Sequence, residues 1–201
     1  MKLLIDRLKG GDIRSDGEAN DVAANVLNHP ILFEHLYAGL AEPDDVVRGR
    51  SAHALEQVSR SKPELLLPYL DKLAAQSAED PLPMVRWHLA MIFANLAVFE
   101  EQIEPLSSAL FRLLDDSSVF VKNWAISSLT IIGRRYPSLR AKVTEEIKAL
   151  RNESGKAIQS RVRIALDVLE NDLDIPTHWV KSERLRNSMT ESTGIRHKGS
   201  K

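Results

Sequence analysis

The sequence contains no cysteine, and this one absence removes disulfide bonds, thiolate nucleophiles and thiolate-ligated zinc together. It suits a reducing compartment. Aromatic residues are scarce at 5%, and only 9 of 201 residues are glycine. Leu, Ala, Glu, Arg and Ser dominate instead, a mix that favours helix over strand. No stretch approaches 18 consecutive apolar residues, so no membrane span is expected. The opening Met1 to Lys9 is too charged, and its apolar part too short, for a signal-peptide core. Neither sign of charge prevails, with a formal net charge of −1. A surface that attracted nucleic-acid phosphate as a whole would be clearly basic, so such binding would need a local patch. These absences predict a cytoplasmic chain with no membrane contact.

What is present is a hydrophobic fraction of 43%, enough for a sizeable core, and an internal repeat. An acidic residue, a short spacer, an aliphatic residue and usually a cation recur four times. The copies are Glu42 to Arg48, Asp80 to Arg86, Asp116 to Lys122 and Glu153 to Gln159, and their aliphatic positions Val47, Val85, Val121 and Ile158 lie 38, 36 and 37 residues apart. Eight residues after each stand Leu55, Phe93, Leu129 and Leu166; eleven after stand Val58, Leu96, Ile132 and Leu169. Positions four and seven after are apolar or small. Such spacings fall within one stripe of a 3.6-residue helix, so every unit carries an amphipathic helix in the same register.

Other stretches of helical period alternate with these: Pro30 to Ala41, Pro63 to Ala78, Ile103 to Leu114 and Ser138 to Arg151. Pro30 and Pro63 suit first-turn positions, while Pro43, Pro81, Pro83 and Pro137 are expected in connections. The unit is thus helix, short turn, helix. An acidic residue followed by Val-Arg, then small and aliphatic residues at helical spacing, resembles a HEAT repeat. Val85-Arg86-Trp87-His88-Leu89-Ala90 in particular resembles small bacterial-type HEAT proteins. The resemblance covers Pro30 to Asp172, with Glu18 to Asn28 as a degenerate partial unit. It implies an all-α fold, an α-α superhelix or armadillo-like solenoid of about four to five helical hairpins. It also implies that Arg48, Arg86 and Lys122 pair with the acidic residues within and between units. The fourth copy, with Gln159 in place of the cation, reads as a terminal cap.

In such stacks the second helices line the concave surface. A helical wheel leaves a ridge of Arg50, His53, Trp87, His88, Met91, Asn123, Trp124 and Ser127 on their outer arc. Two Trp, a Met and an Arg on one ridge have the composition of a binding hot spot, so these eight are the candidate partner-binding residues. The competing expectation is that Trp87 and Trp124 pack against adjacent repeats.

Nothing nominates a catalyst, cofactor or metal. The six His residues have no metal-binding helical spacing, and the chain has no His-Glu dipeptide. Gly10-Gly11 lacks the strand and the Lys-Ser/Thr of a phosphate loop, and Glu145-Glu146 and Asp115-Asp116 are adjacent carboxylates that point apart on a helix. The function expected is a non-enzymatic protein-binding adaptor or scaffold. The alternative is a DNA-binding protein or DNA glycosylase of HEAT-like fold, with Arg50, Arg60, Arg134, Arg161, Trp87 and Trp124 forming its groove. Outside the repeats of residues 18–172, residues 1–17 read as a short helix and a flexible connection. Residues 173–201 read as an extended, basic, mobile tail, dispensable for folding from Lys181 onward, though Ile175, Trp179 and Val180 offer enough apolar surface to dock on the last repeat as a lid.

Overall fold

The computed structural model describes residues 4–153 and 155–194, with side chains as far as 189. All regular structure in the described residues is helical. The α-helices are α1 (Ala19–Asn28), α2 (Phe33–Ala38), α3 (Asp45–Ser61), α4 (Leu70–Glu79), α5 (Pro83–Leu96), α6 (Ile103–Arg112), α7 (Val119–Arg135), α8 (Pro137–Ala149), α9 (Lys156–Glu170) and α10 (Glu183–Gly194). None is long and apolar enough to cross a membrane.

Packing follows chain order. The second helices form a row in which α1 contacts α3, α3 contacts α5, α5 contacts α7 and α7 contacts α9. The shorter first helices lie against them as α2 on α3, α4 on α5, α6 on α7 and α8 on α9, and α4 also meets α6. All sixteen residues at the four most regular repeat positions settle into this interior: Val47, Val85, Val121 and Ile158, with the residues four, eight and eleven further on, are buried. The stripe read from the sequence is therefore the stripe that packs.

Three of the second helices, α3, α5 and α7, begin behind an aspartate. The carboxylates of Asp44, Asp80 and Asp116 accept from the backbone N–H two residues on, at 2.8, 2.9 and 2.7 Å, turning the chain into the helix. The cation one residue past the aliphatic position reaches back to its own unit. Arg48 donates to the Glu42 carbonyl at 2.9 Å and Arg86 to the Asp80 carbonyl at 2.6 Å, and Gln159 does the same to Glu153 at 3.2 Å. It also reaches forward: Arg48 lies 3.5 Å from Asp80, Arg86 clamps Asp116 with two bonds of 2.6 and 3.0 Å, and Lys122 pairs with Glu153. Arg48 and Arg86 thus each tie a turn to itself and to the next unit.

Pro83 and Pro137 depart from expectation. Both occupy the first turn of a helix, where the missing N–H has no intrahelical partner to lose. Pro63 opens a helical stretch as expected, but Pro63–Tyr69 is a 3-10 segment, because Pro68 within it offers no N–H to an α-helical bond.

Candidate binding face

The eight ridge residues do lie along the second-helix row, but most are not open to solvent. Arg50, His88, Met91 and Ser127 are buried; His53, Trp87, Asn123 and Trp124 are half-buried. The expectation of an exposed arc is corrected by the packing. A helix inside the row has second-helix neighbours on two sides and first helices on a third. On α5 every residue from His88 to Leu96 is buried.

Arg50 is withdrawn from solvent by the N-terminal segment. Its guanidinium donates to the carbonyls of Leu8 (2.9 Å), Gly10 (2.7 Å), Asp12 (3.1 Å) and Ser15 (3.0 Å). The stretch expected as a flexible connection is therefore a loop wound around one side chain. Gly17, at φ +52°, is part of that fit, since a Cβ there would sit 2.6 Å from the Arg50 guanidinium carbon. Arg50→Ala removes the donor shared by four carbonyls and is expected to cost about 2–3 kcal/mol. Proteolysis near residues 10–17 should become the first cleavage, and unchanged protease resistance would contradict this role.

His53 and His88 meet edge to face across α3 and α5, with His53 Nδ1 3.2 Å from His88 Nε2. His88 Nδ1 lies 2.8 Å from the Met84 carbonyl, which can only accept, so Nδ1 carries the proton and Nε2 accepts from His53. Burial, then the neighbouring His53, push the His88 pKa down to about 3. Burial also lowers that of His53, whose other nitrogen contacts the Asn20 side chain. The pair is neutral near pH 7 and ties α3 to α5.

Further along the row the face turns aromatic. Trp87 packs against Phe120 at 5.4 Å between ring centroids, and Phe120 remains 65% exposed beside Val119 at 45%. One turn on from Phe120, Trp124 has the Arg161 guanidinium 6.0 Å and the Lys181 ammonium 5.6 Å from its ring centroid. Arg161 also donates to Ser127 at 2.6 Å, and Asn123 beside it keeps a buried side-chain oxygen without a hydrogen bond. Phe120 and Val119 were not among the candidates. Their signal is positional: they immediately precede Val121 at the start of α7, where the repeat has no core position for them.

The C-terminal segment completes the face and overturns the expectation of a mobile tail for its described part. Trp179 is 2% exposed, and Val180, Ser182 and Leu185 are buried as well. The segment does not stop at the last repeat. Trp179 lies under Arg161 of α9 at 4.8 Å, Ser182 donates to the Arg60 carbonyl at the end of α3 (2.8 Å), and Arg135 of α7 donates to Ser188 (2.6 Å). Arg184 stacks over Phe99 at 5.2 Å and reaches Glu64 at 3.4 Å. Between the segment and α3 lies a cleft of about 710 Å³ whose lining includes Arg60, Ser61, Lys181, Arg184 and Arg186. The part of the expected tail at residues 195–201 lies outside the described residues.

A scan against models of known protein families finds none that matches this sequence, and a search of curated proteins finds no match either. The site must therefore be read from its own chemistry. Among the described residues no three His, Asp or Glu side chains gather where a metal ion could be held. The free chemistry of the face is apolar and aromatic surface edged by cations.

Proposed function

We propose that this chain is a HEAT-type helical-repeat protein, a solenoid whose inner, concave face binds another protein without catalysis. The chain-order packing of second helix on second helix and the repeated cation-to-carboxylate link between units support the architecture. The observation that carries the function is the exposed Phe120, packed on the half-buried Trp87, with the exposed Val119 beside it at the start of α7. A large ring left in water against another large ring costs stability in the free protein, and a partner's apolar side chain would recover it.

The nucleic-acid reading loses its donors one by one. Arg50 is spent on four carbonyls, Arg60 binds Glu56 at 2.9 Å, Arg134 faces Asp172 at 3.5 Å and Arg161 is held by Ser127 and two Trp rings. A phosphate backbone would have to compete with each of these partners.

The test is the double substitution Val119→Ser with Phe120→Ser, both at exposed positions. Its melting should stay within about 0.5 kcal/mol of the parent. Quantitative capture of the natural partner from extract of the source cell, after nuclease treatment, should fall by about tenfold or more, as for loss of a hot-spot anchor. Undiminished capture would place the site elsewhere. Capture that disappears with nuclease alone would favour the nucleic-acid reading.

A further inference from the structure

We propose that the groove covered by residues 175–189 is a receptor for a protein segment bearing a tryptophan followed by a short basic helix. The chain's own C-terminal segment is then its resident, displaceable occupant. The proposal rests on the protein-binding reading above and adds the chemistry of the ligand and the means of its control.

The segment is bound in the manner of a ligand. Among the described residues its backbone hydrogen bonds are local, Trp179 to Pro176 and Arg186 to Ser182, and no ladder joins it to the row. What holds it includes one buried indole under Arg161, the buried Val180 and Leu185, the half-buried Ile175 and Met189 against the core, and side-chain bonds to Arg60, Arg135 and Glu64. An anchor aromatic with a rim of polar contacts is how a protein face takes a peptide.

The groove is chemically selective. Phe99 and Trp124 turn ring faces to cations, and Glu64 adds a carboxylate. The carbonyl that accepts from Ser182 belongs to Arg60 in the last turn of α3, and Arg135, which donates to Ser188, ends α7. The segment's helix therefore begins beside the partial negative charge at a helix C-terminus, which favours the basic residues Lys181, Arg184 and Arg186. An acidic segment would lose the contacts to Phe99, Trp124 and Glu64.

The connection permits exchange. Between the end of α9 and Trp179 the chain is non-helical, Leu173 is exposed, and Asp172 sits at φ +53°, a conformation that a non-glycine residue adopts at a cost. Such a tether presents the segment at an effective concentration on the order of millimolar, so a free segment of equal strength cannot compete at ordinary concentrations. A true partner has a further foothold. The open Phe120–Val119 surface adjoins Trp124, one turn away on α7, and the segment leaves it uncovered. A ligand that grips both the open patch and the groove can displace an occupant that holds only the groove.

The experiment uses the full chain and, as probe, a fluorescently labelled peptide of residues 173–189 followed by anisotropy. The parent should bind it weakly. Trp179→Ala, which frees the groove from within, should bind it at least tenfold more tightly, and a peptide carrying the same Trp→Ala change should lose that gain. Leu185→Ala serves as a second opened variant should the first fail to fold. Native mass spectrometry accompanies both, and reciprocal exchange of the segment between two copies would count as binding in trans and support the proposal. If neither opened variant gains affinity, or if the parent binds as tightly as they do, the segment is a permanent strap and the proposal is overturned. The two readings fail separately. Peptide uptake by Trp179→Ala with partner capture unaffected by loss of Phe120 sinks the functional reading alone; the converse sinks only this inference.

Discussion

Phe93→Ala is expected to destabilise the fold by about 3–5 kcal/mol, as large-to-small substitutions of buried aromatics do. The ring is fully buried in α5, the middle of the second-helix row, between α3 and α7. Little around it can collapse into the space, because each neighbouring helix is held by further neighbours and by the Arg48–Asp80 and Arg86–Asp116 links. A loss of this size is a large fraction of the stability of an ordinary domain, so the variant should unfold at markedly lower urea. Leu166→Ala, at the equivalent position of the last unit, removes fewer atoms from a helix with a second-helix neighbour on one side only, and should lose less. Equal, small losses at both positions would mean that the repeat register does not define the core.

The second large effect is acid lability centred on His88. Its folded pKa of about 3 lies below the unfolded value of 6.5, so between these limits the unfolded chain takes up a proton that the folded chain refuses. Stability conferred by neutral His88 is present above pH 6.5 and is lost as pH falls towards 3. Each pH unit costs up to about 1.4 kcal/mol, or about 4–5 kcal/mol over the window. The physical obstacle is burial first and the neighbouring His53 second, since a charged imidazolium is poorly solvated at this buried position. Burial lowers the His53 pKa too, which acts in the same direction. His88→Gln should be less stable at pH 7, through loss of packing, yet show a flatter decline from pH 6.5 to pH 4. Parallel pH profiles for the parent and the variant would rule out His88 as the origin of the lability.

What could be read from the sequence was whatever the local period controls. Leu55, Phe93, Leu129 and Leu166 recur in one register, and a period is visible without knowledge of neighbours. The pairing of Arg86 with Asp116 was implied by the resemblance and is present, because the same turn recurs in each unit. The candidate site was legible only as a strip of helix. Met91, His88 and Ser127 are buried because the row places a helix on either side, a fact about stacking that no single wheel contains.

The enclosure of Arg50 and the reach of the C-terminal segment to α3 and α7 could not be read for a different reason. The partners of Arg50 lie 35 to 42 residues earlier in the chain, and Ser182 meets Arg60 across 122 residues. The segments that carry these contacts are short in apolar residues. A few buried side chains, Trp179, Val180 and Leu185, suffice to dock the C-terminal one, and three residues leave no periodic trace. Deletion from Lys181 onward, expected from composition to be harmless, should instead expose Trp124 and Phe99.

The most direct test of the binding face is a photo-crosslinking amino acid placed singly at Phe120, at Trp87 and, on the first-helix side, at the exposed Lys72 of α4, in the source cell. The account predicts that positions 120 and 87 yield one and the same protein adduct, that position 72 yields none of it, and that Trp179→Ala increases the yield at 120. Adducts to that partner from position 72 with none from 120 or 87 would contradict it.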